Sequence, residues 1–371
     1  MKDPRLLQLA RVLVHYSTRV KNGDFVLVSG DQVTIPLLCE VAREAIEAGG
    51  HVETLINSQE IGETRLKHST EEQLKESSFI METVIARADV WISSWGSLNT
   101  RINSNVPSER IKLAAQGNTA WRRVYSDRMA SGSLRWCGTQ FPTHADAQEA
   151  SMSLADYEDF VFGAGLLDAD DPIAEWRRVS EEQARWVDFL NTKRELHIVS
   201  RGTDLRVGIG GRRWINCNGS LNFPDGEVFT SPVDDAIDGH ITFSFPGIYA
   251  GKEIEGIRLE VAAGRVEKAT ATKGEDLLRS LLATDAGASR FGEVAIGTNY
   301  NITKFTRNML FDEKIGGTVH LAVGDSMGEA GGINKSAIHW DMLCDMRDGG
   351  TVTADGQVFY RDGRFLHEVL A

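Results

Sequence analysis

Two histidines and an aspartate near the end of the chain are residue types that bind metal ions. His339 and Asp341 form a His-x-Asp pair, and residues two apart on a strand point to the same face. His320 precedes them, in a segment with the pattern of a strand that enters a glycine turn. Imidazole and carboxylate groups on neighbouring strand ends could form a metal triad. The alternative is an ordinary polar contact, because a His-x-Asp pair alone is a weak signal.

Two glutamates could add to this cluster. Glu227 follows Gly226 and Glu293 follows Gly292, each within a largely apolar stretch. A buried carboxylate without a partner is energetically costly, so it is usually paired with a cation or bound to a metal ion. For Glu293 the alternative is a salt bridge to the nearby Arg290. The residues alone leave both interpretations open.

The first half of the chain alternates predicted strands with predicted helices. A capping box of Thr70 and Gln73 predicts the start of a helix that runs to about residue 87. Short apolar runs and helical patterns predict strands at 25–28, 51–56 and 89–93, and further helices at 37–48, 146–162 and 174–190. This β-α-β-α-β order predicts a parallel sheet flanked by helices. We therefore predict a Rossmann-like α/β domain over residues 1–190.

The second half has a different pattern, in which short apolar runs alternate with glycine-containing turns. Runs at 257–261 and 266–270 flank Ala263-Gly264-Arg265, which predicts a hairpin, and a similar pattern recurs at 352–360. One helix is predicted at 274–282. We therefore predict a mixed α+β, largely antiparallel domain over residues 195–371, which contains the candidate metal ligands.

Composition limits the classes of partner. The chain has 40 Lys and Arg against 53 Asp and Glu, a net charge of −13. This balance disfavours nucleic acid and anionic membrane surfaces, because both are bound by clustered basic residues. Four scattered cysteines without a Cys-x-x-Cys pair are typical of a reducing compartment. With no signal-peptide pattern and no membrane span in the sequence, we expect a cytoplasmic protein.

Several familiar catalytic and cofactor motifs are absent from the sequence. No Gly-x-Gly-x-x-Gly follows the first predicted strand, which argues against a dinucleotide site. The segment 331–336 resembles a phosphate loop, but Asn334 occupies the position of the glycine that must precede the lysine. The sequence contains neither a Gly-x-Ser-x-Gly elbow nor a His-Glu-x-x-His helix.

The whole chain resembles the aminopeptidase T and aminopeptidase S family of metallo-aminopeptidases, which includes PepS. The resemblance is weak over the first 130 residues and stronger at 136–143 and 147–150. It is strongest from Asn222 to Met342, where long and specific motifs follow in the family order. These are Asn-x-Pro-x-Gly-Glu-Val at 222–228, Gly-Glu-x-x-x-Gly-x-Asn at 292–299, the segment 312–320 and the segment 336–341.

The resemblance implies a function and a ligand set. It implies that Glu227, Glu293, His320, His339 and Asp341 bind two divalent metal ions, which could be zinc, cobalt, manganese or magnesium. The implied activity is metal-dependent release of N-terminal amino acids from peptides, or hydrolysis of a small non-peptide amide, by water activated between two ions. Either glutamate could bridge the ions or take the proton from water. A homodimer is also implied.

One position departs from the family pattern. The family usually places a tyrosine near the metal, seven residues after the first histidine, and this chain has Met327 there. A thioether cannot donate a hydrogen bond, and it does not bind a hard metal ion as a phenolate does. We therefore expect the exchange to affect the turnover rate.

Two other functions use the same residues. His320, His339 and Asp341 are also the ingredients of the two-histidine-one-carboxylate triad of non-haem iron oxygenases, and a ring-opening dioxygenase of dihydroxypyridines resembles this family at its His-x-Asp segment. A non-catalytic binding protein is the third interpretation. The presence of both Glu227 and Glu293 favours the two-metal hydrolase.

Overall fold

A computed structural model describes residues 3–249 and 251–370 of the chain. It divides into two compact units. The first unit runs to Glu175 and also includes Gly219–Pro224, and the second contains Trp176–Asn218 and the chain from Asp225 onwards. Within the described residues, no helix combines the length and the apolar character that crossing a membrane requires.

The strands, in chain order, are β1 (Phe25–Asp31), β2 (His51–Asn57), β3 (Val90–Trp95), β4 (Arg135–Gln140), β5 (Glu195–Ser200), β6 (Thr203–Gly208), β7 (Ile215–Cys217), β8 (Asn222–Phe223), β9 (Glu227–Thr230), β10 (Ile237–Thr242), β11 (Gly247–Tyr249), β12 (Lys252–Ile254), β13 (Arg258–Ala262), β14 (Arg265–Thr270), β15 (Phe291–Gly297), β16 (Thr318–Gly324), β17 (His339–Asp345), β18 (Thr351–Ala354), β19 (Gln357–Arg361) and β20 (Arg364–Phe365).

The α-helices are α1 (Arg5–Arg11), α2 (Ile35–Glu47), α3 (Gln59–His68), α4 (Glu71–Lys75), α5 (Phe79–Arg87), α6 (Ser108–Gly117), α7 (Thr119–Ala130), α8 (His144–Glu149), α9 (Leu154–Ala164), α10 (Pro172–Asn191), α11 (Glu275–Leu282) and α12 (Met309–Asp312). A π-helical stretch, Val12–Ser17, continues α1, and short 3-10 turns lie at Gln32–Thr34, Gly328–Ala330 and His367–Leu370.

The first unit is built on a five-stranded parallel sheet in the order β2-β1-β3-β4-β8. The central strands are buried because their residues are apolar: Val26, Leu27 and Val28 of β1 are at most 2% exposed. The chain passes from β1 to β2 on one side and then returns to β3 on the other side of β1. The predicted α/β class with a parallel sheet is confirmed.

Two predicted helices of this unit are each interrupted. The capping box of Thr70 and Gln73 is present, but the helix it starts ends at Lys75, and Ser78 caps a new helix through the N–H of Met81. The predicted helix at 146–162 is likewise divided into α8 and α9, and Ser153 caps the second of these. Serine side chains in both gaps satisfy the free N–H groups of a new helix start, so a break costs little.

The second unit contains two large antiparallel sheets. One has eight strands in the order β14-β13-β10-β6-β5-β18-β19-β20, and the other has five in the order β17-β16-β15-β9-β7. β11 and β12 form a separate pair. Buried side chains from both large sheets join one apolar cluster, including Leu196 and Leu205 from the first and Val294 and Leu321 from the second. The predicted antiparallel architecture and the hairpin around Gly264 are confirmed.

Candidate metal centre

Four adjacent strands of the five-stranded sheet carry the five predicted site residues. Glu227 begins β9, Glu293 is in β15, His320 is in β16, and His339 and Asp341 are in β17. The cross-strand register places Ala322 of β16 directly between Glu293 and Asp341. The ligand types predicted from distant parts of the sequence therefore meet on one sheet.

Strand alternation explains why these polar side chains share a face. In β16, Val319 and Leu321 belong to the apolar core, and His320 between them points to the opposite face of the sheet. In β15, Val294 and Ile296 face the same core, so Glu293 and Ala295 lie on the face of His320. The small side chains of Ala295 and Ala322 on that face leave room between the longer polar groups.

The side chains approach one another closely. His320 Nε2 lies 3.3 Å from Glu227 Oε2 and 3.4 Å from Glu293 Oε1. His339 Nε2 lies 3.5 Å from Glu293 Oε2 and 3.6 Å from Asp341 Oδ2. These atoms form two overlapping groups, Glu227-Glu293-His320 and Glu293-His339-Asp341. Glu293 is common to both groups and directs one carboxylate oxygen toward each imidazole.

This spacing fits ligand atoms around a common ion. Two ligand atoms at ~2.0–2.2 Å from a tetrahedral ion are about 3.4 Å apart, which is the separation seen in each group. Glu227 Oε2, His320 Nε2 and Asp341 Oδ1 have no hydrogen-bond partner among the described residues. Because buried polar atoms normally have partners, the donor set fits a divalent metal ion in each group.

Burial and one hydrogen bond fix these side chains. Glu227 and Glu293 are 6% and 5% exposed, and His320 is fully buried. His339 is half-buried, and its Nδ1 lies 2.8 Å from the carbonyl oxygen of Asp325. If Nδ1 donates to that carbonyl, the lone pair on Nε2 faces the centre, which is the orientation that a metal ligand requires.

Sequence reasoning gave no role to a buried lysine beside the centre. Lys314 is fully buried, and its Nζ lies 3.8 Å from Glu227 Oε1 and 4.0 Å from Asp225 Oδ1. It also forms a short ion pair with Glu313. Asp225 and Glu313, the other two carboxylates near Lys314, lie inside the family motifs at 222–228 and 312–320. Their place in these motifs is the signal that could have identified them. Lys314 holds one oxygen of Glu227, and the other oxygen faces His320.

Cys217, Asp225 and Glu227 form a third group of potential ligand atoms. The Lys314 ammonium lies within 4.0 Å of both carboxylates of this group. The ammonium group of Lys314 therefore already neutralises Asp225 and Glu227, as a metal ion would. This group is therefore a weaker candidate for metal than the two that share Glu293.

The charges of the metal-free centre are balanced by protons. Burial raises the pKa of Glu227 to about 8, although Lys314 opposes the shift. Burial lowers the pKa of His320, but the carboxylates of Glu293, Glu227 and Asp341 outweigh it and raise the value to about 9. Asp341 and Glu293 likewise overcome burial and raise the pKa of His339 to about 10. Both imidazoles therefore hold protons that a metal ion would displace.

Met327, the position of the family tyrosine, lies on the same face of the sheet. Its side chain is half-buried against Phe229, Ala295 and Ala330. Its backbone N–H donates to Ser231 Oγ at 3.0 Å. Ala295 pairs with His320 in the register, so the methionine occupies apolar space next to the polar centre.

Comparison with known proteins identifies a metalloprotease family. The model of a family described as thermophilic metalloprotease (M29) matches residues 2–365. Aminopeptidase 2 of Geobacillus stearothermophilus is 28% identical over 99% of both chains. The structure of wild-type AmpT from Thermus thermophilus superposes with a TM-score of 0.85 at 24% identity, covering 98% of this chain and 99% of that one.

A second solved structure shares the fold at lower similarity. The 2,5-dihydroxypyridine dioxygenase from Pseudomonas putida KT2440 superposes with a TM-score of 0.58 at 13% identity, over 97% of this chain and 96% of its own. An identity this low shows a common fold alone, and chemistry must be argued from the side chains.

Proposed function

The chain belongs to the M29 family of metalloproteases, and from that premise we propose that it is a metal-dependent aminopeptidase. In this proposal it removes N-terminal residues from peptides with two divalent ions bound to Glu227, Glu293, His320, His339 and Asp341. Aminopeptidase 2 and other relatives of similar length carry aminopeptidase names. Zinc, cobalt, manganese and magnesium are the candidate ions.

The position of Glu293 between the two imidazoles carries the two-metal proposal. Its Oε1 is 3.4 Å from His320 and its Oε2 is 3.5 Å from His339. A carboxylate that offers one oxygen to each side is suited to bridge two ions. Glu227 and Asp341 would each bind one ion only, because each lies near only one of the two imidazoles at these distances.

The bound ions would lower the pKa of a water molecule toward neutrality and polarise the scissile carbonyl. The protein's own part is to hold the ligands in place. Lys314 fixes Glu227, the Asp325 carbonyl fixes His339, and the alanines at 295 and 322 keep space over the sheet. The free N-terminal amine of a peptide would bind one metal ion or a nearby carboxylate, which would restrict cleavage to the end of the chain.

Metal analysis together with an activity screen tests this proposal. The purified protein is stripped with a chelator, reloaded with one of the four ions, and assayed with aminoacyl-p-nitroanilides and short peptides. We expect about two ions per chain and cleavage only at the free N-terminus. Blocking that terminus by acetylation should abolish cleavage. Hydrolysis of simple amides but of no peptide would instead support a small non-peptide substrate.

The dioxygenase alternative is not favoured. It rests on a likeness of fold at 13% identity, whereas the metalloprotease family match spans residues 2–365. It also leaves Glu227 and Glu293 without a role. A content of one iron per chain, together with oxygen uptake in the presence of a dihydroxypyridine, would favour the dioxygenase over the aminopeptidase.

We also propose that the enzyme is a cytoplasmic homodimer, as the family resemblance implies. The net charge of −13 and the absence of paired cysteines agree with a reducing, aqueous compartment. Light scattering on the purified chain measures its mass directly. A mass twice that of the 40.9 kDa chain is the expected result.

A further inference from the structure

The first unit contains a cavity of about 400 Å³ at the carboxyl edge of its parallel sheet. The ends of β1 and β3 form its floor, and α7 contributes one wall. Four tryptophans and a tyrosine line it, which are Trp91, Trp95, Trp121, Trp136 and Tyr125. Every lining residue belongs to the first unit, so this site does not depend on the metal centre or on the function proposed for it.

Topology makes this edge a favoured place for a ligand. The chain leaves β1 toward β2 on one side and later reaches β3 on the other, so the connections diverge between β1 and β3. Ligands of open α/β sheets bind in the crevice that such a divergence creates, and small-molecule pockets are usually apolar with a few polar groups. The end of β1 is Ser29-Gly30-Asp31, which places a carboxylate where a dinucleotide fold needs glycines for phosphate.

The aromatic walls are held in fixed positions. Trp91 Nε1 donates to Ser29 Oγ at 2.8 Å, and Trp136 Nε1 donates to Ser93 Oγ at 3.2 Å. A Cβ at Gly138 would lie 2.2 Å from the Trp95 ring, so only glycine allows that indole to lie over β4. With these two indole N–H groups already satisfied, Trp91 and Trp136 offer a ligand mainly ring surface.

Asp31 is the one carboxylate among the described residues that line the cavity, and it is half-buried. Asp31 accepts a hydrogen bond from the Gly96 N–H at 3.3 Å and forms no ion pair with any described residue. Burial and repulsion from Asp146 raise its pKa, which reflects an uncompensated negative charge.

The cation that lines this cavity is directed elsewhere. Arg122 is exposed, and its guanidinium lies over the Trp121 ring at 5.6 Å from the centroid. It is not paired with Asp31 in the described structure. The charge of Asp31 is therefore available to a cationic ligand.

We propose that this cavity binds a small organic cation, a primary or substituted ammonium group on a flat apolar body. The aromatic faces attract a cation through their quadrupoles and bury its apolar part. Asp31 accepts an N–H hydrogen bond from the ammonium group and supplies the opposite charge. A neutral ligand would leave the Asp31 carboxylate desolvated, and an anion would be repelled by it.

A charge-matched series of probes on the full chain tests the proposal. Isothermal titration calorimetry measures binding of phenethylamine, of the neutral phenethyl alcohol and of the anionic 3-phenylpropanoate. We expect phenethylamine to bind at least about tenfold more tightly than the alcohol, and the anion not to bind. Equal affinity for phenethylamine and phenethyl alcohol would overturn the proposal. So would the absence of phenethylamine binding at millimolar concentration. Both results come from the unmodified chain, so they do not depend on the folding of a variant.

Two variants distinguish the cavity from the metal centre, which could also bind an amine. Asp31→Asn keeps the size of the side chain and should reduce phenethylamine affinity at least fivefold, with little change for the alcohol. Glu293→Gln should leave phenethylamine binding unchanged. The reverse pattern would place the amine at the metal centre and refute the cavity site. Asp127→Asn, an exposed change on α7 outside the cavity, is the matched control.

Discussion

The metal centre and the aromatic cavity both place carboxylates at a sheet, but they balance negative charge in different ways. In the metal centre, the carboxylates of Glu227, Glu293 and Asp341 lie next to two imidazoles, with Lys314 behind them. In the cavity, aromatic rings surround Asp31, and none of the cations in the described part of the chain is paired with it. The first arrangement fits divalent ions, and the second fits one organic monocation. Similar carboxylates thus select different ligands through their neighbours.

Removing the shared carboxylate tests the metal centre most severely. Glu293→Gln should lower kcat roughly a thousandfold or more, because the ions supply several kcal/mol of transition-state stabilisation and each 1.36 kcal/mol is about tenfold in rate. Bound metal should fall below two ions per chain. Glu267→Gln, an exposed change on β14, is the control for peptidase assay and metal analysis. Full activity of Glu293→Gln with two ions bound would contradict the site.

Removing the buried cation should damage stability more than any surface change. Lys314→Met removes the buried ammonium that lies beside Asp225, Glu227 and Glu313, and breaking a buried ion pair costs about 3–5 kcal/mol. Urea unfolding of the metal-free protein measures the loss. Lys268→Met, at an exposed ion pair with Glu260, should change the free energy of unfolding by less than about 1 kcal/mol. Similar effects of the two substitutions would show that Lys314 does not compensate these carboxylates.

The protonated imidazoles predict how the metal-free protein responds to pH. The folded-state pKa values of about 9 for His320 and about 10 for His339 lie above the ordinary value of 6.5. Their contribution to stability is therefore complete below about pH 6.5 and is lost as the pH rises through 9 to 10. The raised pKa of Glu227 acts in the same direction, with its contribution lost as the pH rises through about 8.

The same protons must leave when metal binds, because a metal ligand requires neutral imidazole. At pH 7 we expect metal loading to release about three protons per chain, two from the imidazoles and one from Glu227, whose pKa of about 8 keeps its carboxyl protonated. Calorimetry in buffers of different ionisation enthalpy counts them. His320→Gln should reduce the number by about one, whereas His240→Gln, on β10 outside the centre, should leave it unchanged. Loading without proton release would mean that the imidazoles are neutral in the metal-free protein.

Much of the fold could be predicted because its signals are local. The apolar run at 25–28 and the turn at Gly264 follow from the residues at those positions. The breaks before α5 and α9 were missed, because the serines that cap the new helices lie inside patterns that otherwise continue. Local periodicity does not reveal whether such a serine continues a helix or caps the start of a new one.

The candidate sites show where local reasoning ends. His339 and Asp341 share a strand, so their proximity could be predicted, but their meeting with Glu227 depends on the register of four strands. Lys314 was missed because a lysine is almost never fully buried unless it is paired. The tryptophans of the cavity come from separate elements, so only tertiary packing brings them together.

The smallest expected effect concerns the residue that replaces the family tyrosine. Met327 packs against Ala295, which neighbours His320 in the sheet, and a thioether offers no hydrogen-bond donor there. Met327→Tyr should raise kcat about tenfold without changing the metal content, because a hydroxyl donor near developing negative charge stabilises the transition state. Met327→Phe supplies the same ring without the hydroxyl and should not raise kcat. An equal rise in kcat for both variants would show that packing of the ring is the cause. An unchanged kcat in both would show that the metal centre does not use a hydroxyl donor at this position.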